Sequence, residues 1–369
     1  MNKLSRKFNT LLKRVKESNE SVPVLFFDML YCRIKYNVKP KQYFLYKFYQ
    51  KGKKYRQNFL SEKHRRKYLN TLNSEFARKI TLDKFITHGI FRNVRIPCPE
   101  LYMYYNPSLK ADNSAVVAYN YDSALKILKQ NNITSFTVKP AIGSLGFGVK
   151  VFTDIDYSDG ASVRLKNHLG EYLLLSDILG ERPLIFEEVI KQTEQFSRFN
   201  PSSVNAIRII TTRTPDGETD VLAACILAGE KDSCISNSCH FAAFIDVETG
   251  IIKDAVESVK GVGRYKITAH PDTGEPLTGV KIENWEKIKA QTLHFQKSLP
   301  HINAAGWDIA VTPEGALAIE MNNHWQTSVL QHDENVLLKD KLQKLYDLWK
   351  ESNKSKRKQN KNRFYYYYG

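Results

Sequence analysis

Hydrophobic positions recur at helical spacing through the first eighty residues and fall into short alternating runs after them. Leu4, Phe8, Leu11, Leu12 and Val15 line up among Lys and Arg. That spacing predicts a basic amphipathic helix over 2–18, either docked on its own core or lying on a membrane surface. From 22 to 81 the pattern stays helical and basic, with an aromatic-rich stretch over 43–49 and a charge run over 62–67. Basic residues interleaved with aromatics can bind single-stranded nucleic acid, but no recognisable nucleic-acid module accompanies them, and a solvated helical face is the simpler reading. After Leu82 the texture changes. The periodicity predicts helices from Asp83 to just before Ile96 and over 121–130, 171–179, 285–299 and 335–350. It predicts strands over 136–140, 149–152, 184–190, 204–212, 221–228 and 241–247. The glycines and prolines between Gly261 and Gly279 read as a long loop. The Lys/Asn/Ser-rich tail after Glu351, which ends in Phe364 and four tyrosines, reads as disordered in its first half.

At 369 residues the chain is long enough for two or three packed units, and 42% hydrophobic residues make it globular. A net charge of +16, from 55 Lys and Arg against 39 Asp and Glu, points to an anionic partner. Nucleotide phosphate, acidic glycan, anionic lipid and nucleic acid all qualify. The five cysteines (Cys32, Cys98, Cys225, Cys234, Cys239) are odd in number and form no CxxC pair, which fits a reduced cytosolic setting and argues against a zinc site. The first twenty residues lack the apolar core of a secretory signal. The longest apolar run, 22–32, is short and broken by Asp28, so no membrane span is predicted.

Two stretches carry candidate chemistry. From Gly306 to Asn323 the chain reads as two strands joined at Pro313-Glu314-Gly315. Period-two alternation puts Asp308, Ala310 and Thr312 on one face, and Ala318, Glu320 and Asn322 on the matching face of the second strand. Ile309, Val311, Ile319 and Met321 then face the other way. Hard oxygen ligands clustered like this suit Mg²⁺, which takes its remaining ligands from water and substrate phosphates; an ordinary half-exposed hairpin explains the pattern equally well. The second stretch is Gly143-Ser144-Leu145-Gly146-Phe147-Gly148. It lacks the Gly-Lys-Ser/Thr ending and following helix of a Walker loop, and its third glycine opens no helix as a dinucleotide fingerprint requires. It is a hairpin loop whose backbone N–H groups can fold over phosphates, with Lys139 just before it as a point charge. Arg208 sits on an otherwise apolar strand, either as a bidentate oxyanion clamp or paired with an internal acid. Cys239 and His240 are adjacent, so on a strand they point to opposite faces and do not make a nucleophile pair.

In their order and spacing these pieces resemble the ATP-grasp enzymes, and in particular the sugar-transfer-associated ATP-grasp family found with genes for surface polysaccharides. The resemblance runs from about Tyr43 to Gln331. Its carriers are Leu82-Asp83-Lys84, Ile96-Pro97-Cys98-Pro99, Val138-Lys139-Pro140 with its glycine loop, Phe186-Glu187-Glu188, Asn205-Ala206-Ile207-Arg208, His270 to Gly274, Gly306-Trp307-Asp308 and Glu320-Met321-Asn322. It implies an α+β, ATP-grasp fold in which two lobes clasp ATP. A helical basic region (1–80) would precede the N-terminal lobe (81–190), the C-terminal lobe with the metal site (191–335), and a closing helix and tail (336–369). Lys84 and Lys139 would touch the phosphates, and Gly143, Ser144, Gly146 and Gly148 would close over them. The hinge from Glu187 through Glu188 and Val189 to Ile190 would read the adenine edge, and Glu194 would reach the ribose. Asp308, Glu320 and Asn322 would hold Mg²⁺, with Arg208, Lys231 and Asn237 acting on the reacting groups. One departure stands out: Leu227 occupies the end of a strand where relatives tend to carry arginine, so either Lys231 substitutes or the acceptor site differs.

The activity so implied is an ATP-dependent carboxylate–amine ligation through an acyl phosphate, with small carboxylate and amine substrates linked to a surface polysaccharide. The protein would be cytoplasmic, or peripheral at the inner face of the membrane through its N-terminal basic helix. A hydroxyl kinase on the same fold, or a non-catalytic basic module binding membrane or nucleic acid, are the competing classes.

Overall fold

The computed structural model describes residues 15–109, 115–143, 146–159, 162–236, 241–259, 263–327, 330–331 and 338–360. Most of the helix expected over 2–18, the loop residue Ser144, the candidates Asn237, Cys239 and His240, and the tyrosine-ended tail lie outside the described residues.

The chain opens with helices α1 (Val22–Tyr36), α2 (Pro40–Leu45), α3 (Lys53–Asn58), α4 (Glu62–Leu72) and α5 (Glu75–Ile80). The inner side of α1 packs Leu25, Cys32 and Tyr36 against an aromatic cluster of Tyr43, Phe44, Phe48, Tyr55 and Phe59. The aromatic-basic run over 43–49 is therefore largely core rather than a stacking surface for bases. Next comes α6 (Lys84–Asn93), started by Asp83, whose carboxylate accepts from the N–H groups of Phe85 and Ile86 at 2.8 and 3.3 Å.

The first sheet contains β1 (Leu101–Tyr105), β2 (Val117–Ala118), β3 (Phe136–Pro140), β4 (Lys150–Asp156), β5 (Arg164–Asn167), β6 (Tyr172–Leu174) and β7 (Leu184–Glu187), in the order β2-β1-β7-β3-β4-β5-β6. Helix α7 (Tyr121–Gln130) covers it, sharing a core of Phe136, Phe152, Phe186, Ile127 and Leu128. Residues 171–179 do not form one helix as the spacing predicted. Gly170, at φ 84°, turns β5 into the short β6, and only Leu175–Ile178 (α8) is helical.

After α9 (Glu194–Phe199), the second sheet contains β8 (Ala206–Arg213), β9 (Thr219–Leu227), β10 (Phe241–Ile245), β11 (Ile252–Val259), β12 (Gly263–Ile267), β13 (Ala304–Thr312) and β14 (Gly315–Asn322). Its order is β12-β11-β10-β9-β8-β13-β14, every pair antiparallel. The stretch expected as a long loop after Gly261 thus contains β12, paired with β11 from Ala255↔Ile267 to Val259↔Gly263. Both faces of this sheet are covered, which is why β8 is buried along its whole length. Helix α10 (Trp285–Ser298) packs Trp285, Ile288 and Phe295 on Ile207, Ile209 and Trp307. On the other face α4 and α11 (Leu338–Asn360) bring Tyr68, Leu72, Leu338 and Leu342 against Leu222, Phe244 and Trp325. Helix α11 runs well beyond the predicted end at 350, into the Lys/Asn/Ser-rich stretch expected to be disordered, as a continuation of a packed first half that has nucleated it.

The helices before α6 are tied to this second sheet by a set of buried polar contacts. The buried Asn73 donates from Nδ2 to the carbonyls of Ala304 and Asn323 at 2.7 and 3.1 Å, and its Oδ1 accepts from the N–H groups of Asn303 and Ala304 at 2.9 and 3.1 Å. Arg65 adds bonds to the carbonyls of His324 and Trp325, both 2.9 Å. Asn73→Ala orphans backbone groups that water cannot reach. It is expected to lower stability by roughly 2–4 kcal/mol in equilibrium urea unfolding, and a loss below about 1 kcal/mol would show that the junction relaxes to satisfy those groups.

Candidate active site

Between the two sheets lies an open cleft lined by residues of both, the kind of setting in which small-molecule sites form. Its floor on the second-sheet side is set by strand register. Arg208 on β8 lies opposite Asp308 on β13, and Asp308 lies opposite Glu320 on β14. One cation and two acids therefore stand in a row across three neighbouring strands. Arg208 Nε and Nη2 each donate to a different oxygen of Asp308 at 2.7 Å. Of the two uses open to this arginine, the structure shows pairing with an internal acid, and both members line the cleft.

The alternation expected for the hairpin holds at Asp308 and Glu320 and fails between them. The register shifts after Asp308, so that Ile309 pairs with Ala318 and Ile319 is the extra residue. Ala318 accordingly packs in the core beside Ile309 and Val311, not on the cleft face, and Ile319 lines the cleft instead of facing away. Asn322, opposite Gly306, is half-buried and outside the cleft lining.

The first lobe supplies the opposite wall. Lys139 on β3 pairs with Glu187 on β7 at 2.6 Å, both buried. Lys84, the first residue of α6, donates from Nζ to the Gly143 carbonyl at 2.9 Å. The glycine loop needs its glycines: Gly146 and Gly148 have φ of 68° and 78°, and a Cβ on Gly146 would sit 2.6 Å from Ile235 Cδ1. The segment that carries Ile235 is pinned to the first lobe, since Cys234 Sγ meets the Val149 carbonyl and His168 Nε2 meets the Asp232 carbonyl. The Glu188 N–H donates to Glu100 O at 2.9 Å, which fixes the connector between the lobes.

Electrostatics follow from this crowding. Burial raises the Glu320 pKa, the Asp308 charge adds to the rise, and Lys84, Lys139 and Arg208 oppose it. Burial lowers the Lys84 pKa, Glu320 opposing and Lys139 adding. For Arg208 burial works against the cation, but Asp308 outweighs it and the pKa is raised. Asp308, next to Glu320, takes both hydrogen bonds of the Arg208 fork, and the cations around Glu320 do not fully offset its burial. That donor set fits a hard divalent ion. Among the described residues no group of three His, Cys, Asp or Glu side chains gathers to hold a metal, so an ion here would complete its shell with water and substrate oxygens, as Mg²⁺ does.

Several expected site residues are not brought to the cleft. Glu194, in the first turn of α9, has an 80% exposed side chain paired with Arg198, so its expected reach to a ribose is corrected. Lys231 is exposed, held by its own N–H to Asp272 Oδ2 at 2.7 Å, and does not line the cleft; it leaves Leu227, which does, without a basic substitute. Val189 and Gly148 also lie outside the lining, whereas Glu188, Ile190, Gly143 and Gly146 belong to it. Lining residues not expected from the sequence include Thr137, Phe147, Val204, Cys234, Ile235 and Ile319. Thr137 stands two residues before Lys139 on the same strand, a parity signal that was available. Ile235 gave no signal, because it arrives through an isolated bridge to Val204.

The raised Glu320 pKa predicts a pH-dependent stability difference. Below the ordinary carboxyl value Glu320 is neutral in both folded and unfolded chains. As pH rises through that value the unfolded chain ionises first, and the folded state loses stability until its own, higher pKa is passed. Glu320→Gln is therefore expected to match the parent's melting temperature at acid pH and exceed it, by a few degrees, at neutral pH without ligand. A variant melting below the parent at neutral pH would mean that the ionised carboxylate is stabilised by Lys84 and Arg208 overall.

The profile of the sugar-transfer associated ATP-grasp family matches residues 63–346. No curated protein matches the chain. Similar solved structures include the D-alanine–D-alanine ligase of Bacillus anthracis (15% identity, TM-score 0.40, over 74% of this chain and 70% of that one). The biotin carboxylase of Campylobacter jejuni gives 10% identity and a TM-score of 0.41 over 73% of this chain and 46% of its own. The N5-carboxyaminoimidazole ribonucleotide synthetase of Thermotoga maritima gives 10% and 0.34 over 66% and 42%. The chain thus spans about half the length of the synthetases it matches, from 42 to 54%. The family profile covers well over half of the 369 residues: the chain belongs to the sugar-transfer associated ATP-grasp family, and its two sheets with the cleft between them are the ATP-grasp fold.

Proposed function

We propose that the protein is an ATP-dependent carboxylate–amine ligase whose acceptor is a sugar or sugar acid of a surface polysaccharide. The observation that carries this reading is the row Arg208–Asp308–Glu320 facing Lys84 and Lys139 across one cleft. Lys84 and Lys139 bind the triphosphate, beside Gly143 and Gly146 of the glycine loop. The connector from Glu187 to Ile190 takes the adenine. Asp308 and Glu320 are the residues that would hold Mg²⁺, which would supply charge neutralisation on the transferred phosphoryl group; Asn322, outside the lining, would join them only as the strand's next polar residue on that face.

The substrate carboxylate attacks the γ-phosphorus, the bond to the bridging oxygen breaks, and ADP leaves with its electron pair. The amine then attacks the acyl carbon, inorganic phosphate departs, the amine proton passes to solvent, and an amide remains. Arg208 sits where charge develops in both steps and is already oriented by Asp308, so little reorganisation is needed. A hydroxyl nucleophile would need a base for its proton. The described cleft lining contains no histidine, and its carboxylates include Glu188 and Glu320. A carboxylate nucleophile needs no base, because it attacks without losing a proton. Lys231 has no part in this account.

The test is turnover of Mg-ATP with sugar acids as carboxylates and amino sugars or amino acids as amines, with hydroxylamine as a trap. Hydroxamate formation with stoichiometric ADP is expected, and Arg208→Lys and Lys139→Met should each lower kcat by about 10²–10³. A stable phosphoester without hydroxamate would make the protein a kinase; nucleotide binding with no turnover against any acceptor, unchanged by Glu320→Gln, would make it a binding module.

A further inference from the structure

Helix α1 is apolar nearly all round, a character that ordinarily marks a helix buried on every side. Only one side of it is buried. Leu25, Cys32 and Tyr36 enter the aromatic core, and this orientation is locked by Asp28, which accepts from Arg56 Nη1 and Nη2 at 2.6 and 3.1 Å and from Tyr43 Oη at 2.6 Å. The outer side carries Phe26, Phe27, Leu30, Tyr31 and Ile34, at 54, 67, 44, 50 and 74% exposure. Their spacing puts them on one continuous arc about two and a half turns long, too extended to be scattered surface hydrophobes. No helix among the described residues is long and apolar enough to cross a membrane, so the arc is a surface to be covered, not a span.

Charge decides what covers it. Arg33 and Lys35 border the arc, and Lys39 and Lys41 follow at once, all exposed. Between 15 and 60 the negative residues are Glu17, Glu20 and Asp28, against lysines and arginines at 16, 33, 35, 39, 41, 47, 51, 53, 54 and 56. Of those acids, Asp28 is spent on Arg56 and Glu17 accepts from Tyr265 Oη at 2.5 Å. A second copy of this chain would press one basic rim against another. An anionic lipid surface offers hydrocarbon to the aromatic and aliphatic side chains and opposite charge to the rim, with Arg and Lys stems extending to the headgroups.

We propose that α1 is an interfacial anchor that docks the protein on an anionic bilayer, with Phe27, Leu30 and Ile34 entering the acyl boundary. It stands apart from the ligase reading, since none of these residues lines the cleft. Flotation with vesicles of phosphatidylcholine mixed with phosphatidylglycerol tests it. The full chain should float with the mixed vesicles far more than with phosphatidylcholine alone, and less at high salt. The double variant Phe27→Glu/Ile34→Glu should lower the partition coefficient at least about tenfold with unchanged melting temperature and unchanged nucleotide binding. A Phe27→Trp variant should show quenching by brominated lipid, which reads insertion in a folded protein whatever the double variant does. No flotation of the full chain, equal flotation of a folded double variant, an unquenched Trp, or a dimer in light scattering that the double variant abolishes would each overturn the proposal.

Discussion

A bidentate ion pair between adjacent strands fixes the floor of the cleft. Arg208 and Asp308 are register partners, each largely shielded from water, and the guanidinium fork matches the carboxylate oxygen for oxygen. Such a pair gains little stability over well-packed apolar residues, because desolvation offsets most of the attraction; removing one partner costs about 3–5 kcal/mol. Its value here is positional. With Asp308 held on one side by Arg208 and flanked on the other by Glu320, the direction and charge of the cleft floor are settled before any ligand arrives. Glu320 bears the consequence, as the acid whose neighbours do not fully compensate its burial.

The facing wall repeats the device. Lys139 and Glu187 form a second buried pair across β3 and β7, and Lys84 begins a helix whose start is set by Asp83. Positive charge on each side is therefore supplied by groups already paired or hydrogen-bonded, ready for an anionic ligand at small cost in side-chain entropy. The helices before α6 do not form a separate appendage to this arrangement. Asn73, Arg65 and the bond from Tyr55 Oη to the Gln331 carbonyl bind them to the edge and far face of the second sheet, the same sheet that carries the acidic row. The outer arc of α1 is thereby held at a fixed angle to the cleft.

Much of this was legible in the chain, for reasons that can be named. Asp308 and Glu320 could be put together because a hairpin with a tight Pro-Glu-Gly turn leaves few registers. The bulge at Ile319 could not be read, because no glycine or proline marks it, and one extra residue was enough to send Ala318 to the core. Strands β8, β9 and β10 were visible as apolar runs, whereas β1, β5 and β12 were not, since Tyr, Lys and Arg on short strands blur the alternation. Glu194 and Lys231 are exposed and lie outside the cleft lining; each sits where the chain has just turned, and the direction of a turn is a tertiary fact. The open arc of α1 was hidden by its own composition: an apolar run broken only by Asp28 does not reveal which of its faces the described residues leave exposed.

The central claim is that the acidic row reads nucleotide through a divalent ion. Calorimetric titration of a non-hydrolysable ATP analogue, with and without Mg²⁺, into the parent and Glu320→Gln proteins tests it most directly. The account predicts that Mg²⁺ tightens binding to the parent by at least about tenfold and does little for the variant, while metal-free affinity, set by Lys84 and Lys139, is similar in both. Equal Mg²⁺ enhancement in the two proteins, or none in the parent, would contradict it.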